Sequence, residues 1–492
     1  MNEFSINSDM ADTFFIAEAF FNKGALKAKL GDHTGAVEDY NKAIKLNPQY
    51  FEAYFNSGVS LFELGVHKMA IFYYDKAIKL NPQYANTYFQ RGIVFDIVGG
   101  HKRALEDFNK VIELNPNDAG AYSKRGISKG KLGDYNSAVE DFTKAIELNP
   151  QNAEAYNGRG AVKGYIGDNN GSIVDHSRAI ELNPQYFKAF FNRGITKDDI
   201  GDHNGAVEDF SKAIELNPEH AESYINRGCS KAKLGNHNEA IEDYNRAIDL
   251  NPQDIETYTS RGFSKGKLDD HTGAIKDFNK IIELIDSQIF QVNNKRRHTR
   301  IGLFDSIDED EKTSKLYLQA ARAYYFRGFE NIKLGDYVGA VNDFDSSIQL
   351  NPQHSEAYLI RGVTKGKLAD KIGAVEDFDM SIDLNPHDYM VYLIRGIAKG
   401  ILGNRNGAKE DLSKAFELFP NLDLSVHFRG FEDTLRYAQR GDFSSSYSYC
   451  SIEDFYKTIE LDPQYIDTEV YYKRCEDAAR RIIDKMKVAI KK

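Results

Sequence analysis

Apolar residues recur along this chain in short stripes of helical spacing, each cut off by a polar turn. In residues 119–150, "AGAYSKRGISKGKLGDYNSAVEDFTKAIELNP", the second half sets Ala138, Phe142, Ala145, Ile146 and Leu148 at spacings that form the apolar face of an amphipathic helix. The first half, through Leu132, stops at Gly133-Asp134, a helix terminator followed by a residue suited to opening the next helix. Asn149-Pro150 closes the second half, because the residue before proline is pushed out of helical geometry. The pattern predicts two antiparallel helices, each of about thirteen residues, joined by a tight turn.

The same phrase returns throughout the chain, and every proline ends a copy of it. Steps of 34 residues lead from Pro48 through Pro82, Pro116, Pro150, Pro184 and Pro218 to Pro252, and the series resumes at Pro352, Pro386, Pro420 and Pro463. A residue that cannot continue a helix, recurring at one fixed period, marks a copied unit. Gly126, Ala138 and Ala145 also recur in frame and let helix axes approach to roughly 8–10 Å. One hairpin cannot bury its own apolar face, whereas stacked hairpins can, so stability is expected from neighbour contacts.

Period, small residues, aromatics and proline together resemble the tetratricopeptide repeat, carried in the second copy by Tyr54, Gly58, Gly65, Ala70, Tyr74, Ala77 and Pro82. The resemblance implies an all-α fold, a right-handed superhelical α-solenoid of helix–turn–helix repeats. Twelve units are counted: eleven end in proline, and one, residues 255–286, has Asp286 in its place. The expected organisation is an N-terminal extension (1–16), eight repeats (17–286), an irregular insertion (287–320), four repeats (321–463) and a C-terminal capping helix (464–492). Within the insertion, "KRRHTR" (295–300) and "DEDEK" (308–312) read as a solvated loop whose halves neutralise each other. "GDFSSSYSYC" (441–450) reads as a longer loop in the last unit. The missing proline at Asp286 marks a seam between the two arrays.

Charge and cysteine content narrow the function. A net charge of −11 argues against nucleic acid as the main partner. Cys229, Cys450 and Cys475 make no even disulfide framework, which points to a reducing compartment. Glu3 and Asp9 stand where a signal peptide would need positive charge, and no run approaches the roughly 18 apolar residues of a membrane span. A soluble cytoplasmic protein without membrane insertion is expected.

Ten units place Arg immediately before the first Gly: Arg91, Arg125, Arg159, Arg193, Arg227, Arg261, Arg327, Arg361, Arg395 and Arg429. The second helix carries Asp before its aromatic, as at Asp107, Asp141, Asp209 and Asp243. One unit has Tyr73 there, and that unit also has Ser57 for the Arg and Leu61 where other copies have Lys129 or Lys163. Acid and bases are lost together, which predicts that they touch in a partly buried interhelical ion pair. A catalytic role would require ten equivalent sites. His33, His67, His101, His203, His237 and His271 also recur in frame. Copies separated by a helix spacing of roughly 8–10 Å cannot share a zinc that needs nitrogens within about 2.1 Å. These histidines are expected to cap or pack, with no metal and no cofactor.

In proteins of the resembled family, residues just after the first aromatic of the leading helix face a concave groove. Here those positions are Phe21-Asn22, Phe55-Asn56, Phe89-Gln90, Phe191-Asn192 and Asn226, and Phe62 adds to the aromatic surplus of the second unit. Amides beside rings suit an extended peptide, the amides holding its backbone and the rings covering apolar side chains. The competing role for these rings is packing between repeats. The family's clamp for chaperone tails is incomplete, because its second Asn position holds Ala25, Val59 or Ile93. The expected function is a non-catalytic scaffold for protein or peptide partners, centred on the first three repeats. The alternatives are a self-associating assembly component, hence a homo-oligomer, or the targeting arm of an enzyme complex. No nucleophile–base set or phosphate loop is present, and "GKLGD" recurs as a turn.

Overall fold

The computed structural model describes residues 2–298 and 303–419, which hold twenty-two α-helices and, among the described residues, no strand. The chain divides into two compact units, Met1–Ser230 and Lys231–Lys492. In the first, α1 (Asn2–Lys29) packs on α2 (His33–Leu46), α3 (Phe51–Glu63) on α4 (His67–Leu80), and α5 (Ala85–Ile97) on α6 (His101–Leu114). The series continues with α7 (Ala119–Lys131) on α8 (Tyr135–Leu148), α9 (Ala153–Tyr165) on α10 (Asn169–Leu182), and α11 (Phe187–Asp199) on α12 (His203–Leu216). The boundary between the units falls inside α13 (Ala221–Lys233). The second unit holds α14 (His237–Leu250), then α15 (Ile255–Lys267) on α16 (His271–His298) and α17 (Leu303–Lys333) on α18 (Tyr337–Leu350). It goes on with α19 (Ser355–Lys367) on α20 (Lys371–Leu384) and α21 (Tyr389–Ile401) on α22 (Arg405–Leu418). Each successive pair is one repeat, numbered 1 to 11. The expected twelfth repeat and the capping helix lie outside the described residues.

Local chemistry explains the hairpin. Asp134 accepts a hydrogen bond from the Ser137 backbone N–H and opens α8, as Asp168 does from Gly171 for α10. At the other end, the side-chain oxygen Oδ1 of Asn47 accepts from the Gln49 backbone N–H at 3.0 Å, and that of Asn149 does the same with Gln151 at 3.1 Å, so Asn-Pro-Gln is a built stop. Between paired helices the chain turns through a residue with φ between 60° and 85°; nine repeats use Gly there, while repeats 8 and 10 force Asp269 and Ala369 into the same left-handed conformation. The first Gly of each unit has a different reason. A Cβ on Gly58 would come within 2.6 Å of the Tyr74 ring, so any side chain there would force the closely packed leading and second helices to shift.

The position without proline behaves differently from the expected seam. α2 has 14 residues, whereas α16 has 28 and α17 has 31. With Ile285 and Asp286 in place of Asn-Pro, nothing stops α16, and Ile285 is fully buried. One apolar core runs through this point, joining Phe278, Ile281 and Ile285 of α16 to Leu316 and Phe326 of α17 and on to Phe344 of α18. The stretch 287–320, expected as an irregular insertion, is therefore helical wherever it is described: 287–298 prolongs α16 and 303–320 belongs to α17. The expected N-terminal extension likewise continues as helix into the leading helix of repeat 1, as α1.

Candidate binding surface and the repeated ion-pair cluster

The expected ion pairs form. In repeats 3, 4, 5, 6, 8, 10 and 11 the Arg Nε donates to one oxygen of its Asp at 2.8–3.0 Å and Nη2 to the other at 2.5–2.7 Å. Arg327 holds Asp343 in the same two-pronged way. The fork matches the carboxylate geometrically, which a lysine could not do. Lys129 adds a second cation to Asp141 at 2.8 Å, and Lys163, Lys197, Lys265, Lys365 and Lys399 do so in their own repeats. In repeat 1, Lys27 approaches Asp39 to 2.7 Å. The Asp side chains are buried and the Arg side chains nearly so. A Tyr or Phe three residues before the Arg also lies under the guanidinium, as Tyr122 does under Arg125 at 5.2 Å.

A third contact was not foreseen from sequence. The remaining Arg nitrogen, Nη1, reaches the second helix of the preceding repeat: Arg91 to Asp75, Arg125 to Asn109, Arg159 to Thr143, Arg193 to Ser177, Arg361 to Asp345 and Arg395 to Asp379. Each arginine thus ties three helices together. The receiving position varies among Asp, Asn, Ser and Thr, so no single residue type signals it.

The Asp carboxyls of repeats 5 and 3 face different numbers of cations. Desolvation pushes the Asp175 carboxyl up, but the hydrogen bonds from Arg159 and Lys163 outweigh it and hold the group below the usual carboxylate range. In repeat 3, Phe95 replaces the lysine. Desolvation then wins over Arg91, with Asp75 and Glu106 adding to it, and Asp107 is pushed above its ordinary value. Arg91 itself is raised, since Asp107 and Asp75 together overcome its desolvation. One cation shared by two carboxylates favours its own charge more than theirs.

The recurrent histidines each stand at the first position of their helix, one residue after the cap position. Asp32, Asp202 and Asp270 cap the helices that begin at His33, His203 and His271, whereas Val66 and Gly100 offer no side-chain cap before His67 and His101. His101 Nδ1 lies 2.7 Å from Asp96, His203 Nδ1 2.8 Å from Asp198 and His271 Nδ1 2.7 Å from Glu330. Asp96 also accepts from Ser128 and Lys131 of the next repeat. At the junction of repeats 8 and 9 the acid comes from the other side: Gly266 leaves room and Glu330 enters.

The residues expected to line a groove have mixed surroundings. Phe21 contacts Tyr40 and Tyr50, with ring centroids 5.7 and 5.0 Å apart, and Phe55 contacts Tyr74 and Tyr84 at 6.1 and 5.4 Å. Phe89 packs on Phe108, and Phe191 on Phe210 and His220. Phe62 lies beside His67. All these rings are half-buried, and Phe21, Phe55 and Phe191 each join their leading helix to the second helix and to the turn before the next repeat. Among the amides, Asn22 is exposed and Gln90 half-buried. Asn56 and Asn226 donate to the backbone carbonyls of Glu52 and Glu222 on their own helices, and Asn192 donates to Asn157. Among the described residues no helix is long and apolar enough to cross a membrane.

Successive helical hairpins, most of them built on one repeated polar cluster, define a helical-repeat protein. Family models agree on which one. The model described as TPR repeat matches residues 24–65 and 129–164, the tetratricopeptide repeat model matches 221–254, and a further TPR repeat model matches 51–84, 187–220 and 321–354. The chain belongs to the tetratricopeptide-repeat proteins. No curated protein matches it. Among solved structures, a tetratricopeptide repeat protein from Parabacteroides merdae is 21% identical, with 50% of this chain and 98% of that one covered and a TM-score of 0.44. MamA from Desulfovibrio magneticus RS-1 is 21% identical, covering 35% and 96% with a TM-score of 0.33. YrrB, described as a TPR protein with an unusual peptide-binding site, is 27% identical, covering 37% and 95% with a TM-score of 0.31.

Proposed function

We propose that the chain is a non-catalytic scaffold that holds protein or peptide segments along the leading-helix face of repeats 1–3. The observation that carries this reading is the pairing of half-open rings with neighbouring amides: Phe21 with exposed Asn22, Phe55 with Asn56, and Phe89 with Gln90. An extended segment laid across three successive leading helices would meet one ring and one amide per repeat, the apolar cover and the backbone partner that such a segment needs. Tetratricopeptide repeats generally serve as binding frameworks rather than catalysts, and fold alone does not name the ligand. The repeats are held together by their own ion pairs and core, which leaves the face free to vary.

Phe55 also packs between Tyr74 and Tyr84, so its replacement would confound binding with folding. The test is therefore Asn22→Ala/Asn56→Ala/Gln90→Ala in the full chain, with captured proteins compared by mass spectrometry. The expected outcome is at least a tenfold loss of the captured set with an unchanged helical signal, the scale of two or three lost hydrogen bonds at about 0.5–1.5 kcal/mol each. Capture of the same set at wild-type yield would overturn the reading.

A further inference from the structure

We propose that the junction between repeats 5 and 6 is an acid-sensitive joint, opened by protonation of His176. Ten of the eleven described repeats fill the position of His176 with a buried apolar or aromatic side chain, such as Phe142 or Phe210, and the position of Ser172 with alanine. Repeat 5 alone places a histidine and a serine there, both fully buried. They draw in further polar groups. His176 Nδ1 lies 3.0 Å from the carbonyl oxygen of Asn157, which also accepts from Asn192 of repeat 6 at 3.1 Å. The Asn157 amide faces the Tyr186 hydroxyl at 3.4 Å, and Ser172 bonds Thr196 of repeat 6 at 3.0 Å. The core of the joint thus holds side-chain hydrogen bonds where repeats 4 and 6 place the buried rings of Phe142 and Phe210.

The proton inventory sets the direction. An amide oxygen only accepts, so Nδ1 carries the hydrogen and Nε2 is the bare acceptor. Nε2 is buried and has no hydrogen-bond partner. A second proton there would be a buried charge facing no acceptor, so the imidazolium forms far more readily when the junction opens to water. The charged groups around the ring do not offset this. Asp175 is held by Arg159 and Lys163, and Arg193 by Asp209, each already in an ion pair. Burial, only partly offset by Asp175, lowers the closed-state pKa of His176 to about 4. The closed value lies below the ordinary one near 6.5. The closed joint is therefore fully stable above that ordinary value and loses stability as pH falls from it towards the closed-state value.

Amide hydrogen exchange of the full chain, corrected for the intrinsic pH dependence of exchange, tests this. Between pH 7.5 and pH 5 the opening of amides in α10 and α11 is expected to rise roughly 30-fold, from the two pKa values above, while those of α7 and α8 hold steady. Ser172→Ala/His176→Phe, which copies the other repeats, removes the pH response. His176→Gln keeps a polar side chain but cannot titrate, and removes it too. Equal opening of α7–α8 and α10–α11 in acid, or a response that survives both variants, overturns the proposal.

Discussion

Repeat 4 brings Arg125 and Lys129 of α7 onto Asp141 of α8, and repeat 2 places Ser57, Leu61 and Tyr73 at the same three positions. In repeat 2, Leu61 is buried in an apolar cluster with Tyr74 and Val94, with Tyr73 packed against it; the Ser57 hydroxyl turns back to the Ala53 carbonyl at 2.8 Å. The Tyr73 hydroxyl reaches Asn41 of repeat 1 at 2.7 Å, replacing by one hydrogen bond the tie that arginine makes elsewhere. Both repeats fold into the same hairpin. What the position requires is mutual consistency among its three occupants, and charge is only one way to meet it.

The largest break in that comparison is to remove a single partner. Asp141→Leu strands two cations in a half-buried site and is expected to lower stability by about 3–5 kcal/mol, read from urea unfolding. Arg125→Ser/Lys129→Leu/Asp141→Tyr carries the repeat 2 set into repeat 4 and is expected to recover all but about 1–2 kcal/mol, since well-packed apolar replacements of a buried ion pair come close to neutral. A triple variant as unstable as the single one would show that the ion pair contributes more than consistency.

A second, smaller effect separates the two repeats by how closely their helices approach. A Cβ added at Gly58 lies 2.6 Å from the Tyr74 ring, whereas one added at Gly126 lies 3.1 Å from the Phe142 ring. Gly58→Ala is expected to cost about 1–3 kcal/mol through overpacking, and Gly126→Ala to stay near the lower end of that range. Thermal unfolding of the two variants checks the order; a larger loss at Gly126 would contradict it.

Much of this was legible in the sequence, for particular reasons. Periodic Asn-Pro and Gly made the hairpin visible because each is a backbone constraint that few residues can satisfy. The Arg–Asp–Lys cluster could be read because repeat 2 replaces all three at once. The link from Arg159 to Thr143 could not, since four residue types accept equally well there. The absent proline at Asp286 was visible, but its consequence was misjudged: losing a stop signal does not create a seam when Ile285 can enter the core and the helix can run on. The contacts of Phe21 with Tyr50 and of Phe55 with Tyr84 could not be read, because these tyrosines lie in turns whose direction the pattern does not specify.

The finest version of the comparison lies between two ionic repeats and turns on one lysine. Asp175 has Arg159 and Lys163 and is held below the ordinary carboxylate range; Asp107 has Arg91 alone, which Asp75 shares, and is pushed above it. A depressed carboxylate adds stability above its unfolded value, near 3.9, that is lost as pH falls through the folded value. A raised one behaves oppositely: its contribution is present in acid and is lost as pH rises through the folded value. The stability cost of Asp175→Asn should therefore grow with pH across the window just below the ordinary aspartate value. The cost of Asp107→Asn should shrink across the window just above it. Urea midpoints from pH 3 to pH 7 would show slopes of opposite sign. Phe95→Lys, which supplies the missing cation, should turn the Asp107 slope to match that of Asp175. Two slopes of the same sign, or a Phe95→Lys variant that leaves the Asp107 slope unchanged, would mean that the cation count does not set the state of these carboxylates.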